Sequence, residues 1–228
     1  MAIPQKNLVV SGDVKPMIPE KISQIRSVIA QEKARTDGDR DFNYWMLEKA
    51  VQVHHLVALP QGQEFDALSK FVVAYIDALP DCLEHFHRVA EQANLSPYTD
   101  LFLNLATDFV LAPPAELELE VGFGHLMDEA FMAHRLLEEL NDRCLHYLGG
   151  PGLPVDNSFA NVIVHGLIGD EFANDLDLAV HFAIESQAAQ ERAVTANLHA
   201  KPLQAVADAA KDWPTLGKEL MVGIRFQF

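Results

Sequence analysis

The chain predicts an all-α fold, a compact bundle of about eight helices in one domain spanning residues 1–228. Three observations carry that expectation. Apolar residues recur at helical rather than alternating spacing over most of the 228 positions. Proline and glycine cut these stretches into helix-sized pieces. Strand alternation is confined to the short run Leu8-Val9-Val10, so residues 1–18 read as an extended N-terminal segment.

The first helix follows Pro19 and runs to about Thr36, where Asp37-Gly38-Asp39 supplies a stop. Asp41 opens a second, whose apolar positions Phe42, Met46, Val53 and Val57 lie on one face, ending at Pro60. A third, near Glu64 to Leu79, carries the stripe Phe65, Leu68, Val72, Tyr75 and Leu79. Pro80 is expected to end it and to start a fourth, which turns Cys82, Phe86, Val89 and Ala93 inward. Ser96 reads as the N-cap of a fifth helix with Pro97 at its first position, where a missing N–H costs nothing. That helix runs to about Leu111. Beyond Ala112-Pro113-Pro114 a long helix reaches Leu148, bent at Gly122-Phe123-Gly124 and stopped by Gly149-Gly150-Pro151. Asp156-Asn157-Ser158 caps another, reaching about Ala200, with Gly166 or Gly169 the expected bend because glycine weakens a helix by about 1 kcal/mol relative to alanine. Short helices after Pro202 and Pro214 close the bundle.

Composition narrows function. A hydrophobic content of 49% with 22% charged residues describes a chain able to bury a substantial core. The net charge of −16, from 33 acidic and 17 basic residues, would repel phosphate backbones and anionic membranes, so neither nucleic acid nor membrane is an expected partner. The N-terminus shows no secretory pattern, and no apolar run approaches the ~18 residues of a membrane span. Cys82 and Cys144 form no paired motif and sit among apolar residues, which fits a cytoplasmic location. Asp81 and Glu84 beside Cys82 would raise its pKa, the opposite of what a nucleophile needs. There is no Gly-x-Ser-x-Gly, no phosphate-binding glycine loop and no His-Glu-x-x-His; no nucleotide is expected.

The chemistry-bearing feature is a set of carboxylate and imidazole pairs at helical spacing, Glu84-x-x-His87 and Asp177-x-x-x-His181. Residues three or four apart share a helix face, so each pair can offer two ligands to one metal. With Glu48 on the second helix and Glu129 or Glu138 on the sixth, four helices would contribute. The order resembles the heme-oxygenase-like di-iron oxidases and oxygenases, whose fold holds two metals and no heme. The resemblance covers about residues 41–185 and implies Glu48, Glu84, His87, Glu129, Asp177 and His181 as ligands to two iron (or manganese) ions. It also implies oxidation of a small apolar substrate lined by Phe42, Phe86, Phe131 and Phe172. Ferritin-like di-iron bundles are the neighbouring architecture, but they repeat Glu-x-x-His, and here the second half offers Glu171-x-x-Asn174.

A bland reading stands beside each pair. Glu84, His87, Arg88 and Glu91 make one polar stripe, and Asp170, Asn174, Asp177, His181 and Glu185 make another, as solvated faces do. On the other side of that last helix Glu171, Asp175, Leu178 and Phe182 form a candidate buried face, making Glu171 and Asp175 rival ligands. Glu138 and Glu139 rival Glu129 on the sixth. Glu129 has apolar helical neighbours, so it needs a partner or a raised pKa; His125 one turn earlier is a candidate partner, His134 with Glu138 repeats the spacing, and intrahelical pairing accounts for both as well as metal binding does. The alternative function is a non-catalytic helical scaffold or small-molecule-binding protein without metal. Exposed apolar patches would support a homodimer, though the periodicity singles out none.

Overall fold

The computed structural model describes residues 17–36, 40–53, 57–114, 123–209 and 224–226. Over these the protein is a bundle of helices: α1 (Ile18–Thr36), α2 (Arg40–Val53), α3 (Glu64–Gln92), α4 (Ser96–Leu111), α5 (Phe123–Leu148), α6 (Ser158–Ile168), α7 (Asp170–Ser186), α8 (Ala188–Thr195) and the single-turn α9 (Gln204–Ala209). Two antiparallel strands of two residues, β1 (Val57–Ala58) and β2 (Arg225–Phe226), pair Val57 with Phe226. Val57 was expected to extend the second helix; it belongs instead to this ladder. Ile18, expected in the N-terminal extension, opens α1 instead; residues 1–16, the stretch before the Gly122-Phe123-Gly124 bend and the helix after Pro214 lie outside the described residues.

α1 buries Ile18, Ile22, Ile25 and Ile29, a stripe spaced four, three and four, against α3 and α4. Along the rim of that contact its cations meet α3 carboxylates: Lys33 to Asp77 at 2.6 Å and Arg26 to Asp81 at 2.7 Å. Lys21 is the exception on the buried stripe. Its side chain is 5% exposed, and its ammonium reaches Asp108 Oδ1 at 2.5 Å and Asn104 Oδ1 at 3.0 Å on α4.

Pro80 does not divide α3. One helix of 29 residues runs through it. The proline cannot donate to the Ile76 carbonyl, a penalty of about 3 kcal/mol in a helix interior, yet the apolar stripe is continuous: Tyr75, Ile76, Leu79, Leu83 and Phe86 are all buried. Burial on both sides of the break, at roughly 2 kcal/mol per large side chain, outweighs it. The helix does stop at Asn94, whose φ of 56° is left-handed. There the Asn94 N–H donates to the Glu91 carbonyl and the Leu95 N–H to the Ala90 carbonyl, the two bonds of a Schellman ending. The next helix takes Leu95 as its N-cap, with no side-chain cap, so Ser96 is its first residue rather than its cap.

α5 is the central helix. Leu126, Met127, Phe131, Met132, Leu136, Leu137 and Leu140 are buried on all sides by α1, α3, α4, α6 and α7. It stops at Gly149, φ 79°, and Asn141 Oδ1 accepts from the N–H of Gly152 (2.8 Å) and Leu153 (3.3 Å), pinning the following loop to α5. The expected single helix from Ser158 is three. Gly169, at φ 103° and ψ 138°, separates α6 from α7, one of the two bends expected, and Gln187 separates α7 from α8. Among the described residues no helix is long and apolar enough to cross a membrane.

Candidate functional site

The residues expected to converge on two metals divide among separate neighbourhoods. Glu48 is exposed on α2. Its neighbour Lys49 spans to α6, donating to the Ile168 carbonyl at 3.3 Å. Glu84 is exposed on α3, and its Oε2 accepts from Arg26 Nη2 at 2.5 Å. His87, one turn on, turns toward α4. Its Nδ1 is 3.5 Å from Asp100 Oδ1 and its Nε2 is 3.7 Å from Glu91 Oε1. Burial raises the pKa of Asp100 against the pull of His87.

Glu84 and His87 line one cleft beside α1 but hold different partners, and on α7 the pair divides its partners too. Asp177 Oδ1 accepts from Arg135 Nε at 2.8 Å, while His181, 63% exposed, faces Glu185 at 3.2 Å. The face Glu171, Asp175, Leu178 and Phe182, expected at the core boundary, is exposed throughout. The helix instead buries Ala173, Leu176, Val180 and Ile184, the branched and small residues that pack against α5. Of the expected substrate-lining aromatics, Phe86 and Phe131 are fully buried in the core, Phe172 is half-buried, and the Phe42 side chain lies outside the described residues.

Glu129 and His125 do pair. Glu129 Oε1 is 2.9 Å from His125 Nε2, and the Glu129 side chain is 4% exposed. Burial, then the neighbouring charges of Asp128 and Glu32, push its pKa up to about 8; burial lowers that of His125. The repeat of this spacing at His134 and Glu138 does not pair. His134 points into the core, where Nε2 meets the Tyr75 carbonyl at 3.1 Å and Nδ1 meets Asn157 Nδ2 at 3.0 Å. Glu138 turns the other way, to Arg135.

A polar network that no sequence motif marks centres on Arg135. Arg135 bridges Asp177 on α7 and Glu138 on its own helix. Glu138 also accepts from Ser158 Oγ at 2.9 Å and Asn161 Nδ2 at 2.7 Å on α6, and Asn161 Oδ1 accepts from the buried Tyr75 hydroxyl at 2.8 Å. Burial opposes the Arg135 charge, but the contacts with Asp177 and Glu138 outweigh it and hold its pKa above the usual arginine value. These groups floor a shallow cleft of about 460 Å³ between α5, α6 and α7, with Val162 and His165 on its wall. The i,i+3 spacing of Arg135 and Glu138 was visible in the sequence. The contact with Asp177, 42 residues away, had no sequence signal.

Both thiols and the His134 imidazole are buried. Burial pushes Cys82 and Cys144 up to about 12 and His134 down to about 4. Among the described residues no three His, Cys, Asp or Glu side chains stand together as a metal site would require. No family profile, no curated protein and no solved structure matches the chain.

Proposed function

We propose that this protein is a non-catalytic helical scaffold that works by binding, presenting the α5–α6–α7 side of the bundle to its ligand. The observation that carries this reading is the Arg135 clamp. A guanidinium already stands between Asp177 and Glu138, supplying the positive charge a metal would supply, and it locks three helices around an open cleft. Arg26 plays the same part toward Glu84. Buried, unpaired Cys82 and Cys144 fit a reducing cytoplasm as its location.

The di-iron oxidase reading asks more of the chain: Arg26 must release Glu84, Arg135 must release Asp177, and His181 must turn inward from solvent. Buried Glu129, kept near neutral beside His125, is the feature that favours it. Elemental analysis of protein produced with supplemental iron and purified without chelator or histidine tag decides between them. The scaffold reading expects no stoichiometric iron or manganese and no anaerobic ferrous uptake. About two metal ions per chain, the number such a bundle holds, lost in His87→Ala and His181→Ala, would overturn it.

A further inference from the structure

Among the described residues nothing covers the outward face of α7, which has a definite pattern. Glu171, Asp175, Leu178, Phe182 and Glu185 are spaced four, three, four and three, so they form one stripe, and all five are exposed, Leu178 at 49% and Phe182 at 59%. This is the spacing of a helix seam: an apolar pair at its centre and carboxylates at both ends. The stretch of chain around it carries side-chain charge of one sign. Between Arg143 and Arg192 the sequence has no lysine or arginine, against seven carboxylates. Arg135, which reaches α7 through Asp177, is already engaged by Asp177 and Glu138.

A second copy fits this stripe poorly. Two copies packed through Leu178 and Phe182, parallel or antiparallel, would bring the carboxylates of one stripe onto those of the other, and facing like charges are destabilising. The complementary surface is a helix with an apolar centre and basic ends. We propose that α7 is a docking seam for a basic amphipathic helix of another protein, with Leu178 and Phe182 as apolar anchors and Glu171, Asp175 and Glu185 setting orientation and choice of partner. This deepens the scaffold reading and rests on it.

The test uses two synthetic peptides on one amphipathic pattern, one with leucine and lysine and one with leucine and glutamate, titrated onto the full chain at physiological salt. The lysine peptide is expected to bind and the glutamate peptide not. Leu178→Ser with Phe182→Ser should weaken binding by about tenfold or more, as loss of central apolar anchors does. Tyr44→Ser with Leu47→Ser, an exposed apolar pair on α2, should leave it unchanged. Unaltered thermal melts for both double variants confirm folding, since all four side chains are exposed.

Three results would overturn the proposal. Equal binding by the α7 variant would mean diffuse attraction to an acidic chain, and failure of the lysine peptide to bind would remove the partner class. A wild-type dimer that the α7 substitutions convert to monomer would assign the face to a second copy. Metal content, measured on the same preparation, tests the scaffold reading separately.

Discussion

His134 donates its Nε2 proton to the carbonyl of Tyr75 at 3.1 Å, and Tyr75 lies five residues before Pro80 in the same helix. A carbonyl can only accept, so Nε2 is the protonated nitrogen and Nδ1 is free to accept from Asn157 Nδ2. The donation falls next to the carbonyl of Ile76, which the proline leaves without its helical partner. α5 thus braces α3 at the turn the proline weakens.

His134→Leu should therefore destabilise the fold by about 2–4 kcal/mol at pH 7, since the imidazole bond to Tyr75 is lost and the buried Asn157 amide is left without its acceptor. It should also change the acid response. Burial depresses the His134 pKa to about 4, so between pH 6.5 and 4 the unfolded chain takes up a proton that the folded chain refuses. Stability is lost as pH falls through that window, by about 2 kcal/mol at pH 5 for this group. Urea unfolding of both proteins at pH 7 and pH 5 checks this: the gap between them should narrow at pH 5. A constant gap would mean that His134 is not held neutral.

Lys21 and Asp108 should respond asymmetrically to substitution. The lysine is buried and the aspartate is partly exposed. Asp108→Ala leaves a buried ammonium with Asn104 as its remaining acceptor and should cost about 3 kcal/mol, whereas Lys21→Met keeps the apolar stem, abandons no buried charge and should stay within about 1 kcal/mol of the parent. Thermal melts of the two single variants decide, and equal losses would contradict the asymmetry.

What could be read from sequence was what one helix face determines. The stripe Leu68, Val72, Tyr75 and Leu79 of α3, the stop at Gly149 and the break at Gly169 follow from periodicity and backbone freedom, and the His125–Glu129 pair follows from its four-residue spacing. Pro80 has a local penalty that sequence displays, whereas the burial on either side that outweighs it depends on the packed fold. Leu178 and Phe182 have the spacing of core residues, and an apolar pair on a helix has that spacing whether or not a neighbouring helix exists to cover it. The Arg135–Asp177 contact was out of reach, since periodicity gives the face a side chain occupies and not the helix opposite. His134 and His125 have the same carboxylate at i+4 and opposite outcomes, decided by what surrounds each on α5.

Gly152 and Gly169 should both resist alanine, for different reasons. At Gly152 an added Cβ would meet Leu148 Cδ1 at 2.8 Å and Phe86 Cε2 at 2.9 Å. At Gly169 nothing lies within 4 Å, but φ is 103°. Each alanine variant should lose about 1–3 kcal/mol, through overpacking at the first and backbone strain at the second. Adding Leu148→Ala opens space beside Gly152 only. It should relieve part of the Gly152→Ala cost and none of the Gly169→Ala cost, a coupling that a double-mutant cycle measures.

Glu129 should make the fold less stable in mild alkali. Its folded-state pKa of about 8 lies above the ordinary value of 4.5, so the folded carboxyl keeps a proton that the unfolded one releases. The sign is fixed: this contribution is present in full below pH 4.5 and is lost as pH rises to about 8. His125, with a depressed pKa, acts in the opposite direction, but its effect is complete by about pH 6.5, the unfolded value for histidine. The interval from pH 7 to 8.5 therefore isolates the glutamate. Glu129→Gln keeps an oxygen to accept from His125 Nε2 and removes the charge. Its advantage over the parent should grow by about 1 kcal/mol between pH 7 and pH 8.5. Denaturant unfolding at the two pH values reads the difference; curves that run parallel would show that the carboxylate ionises in the fold without penalty.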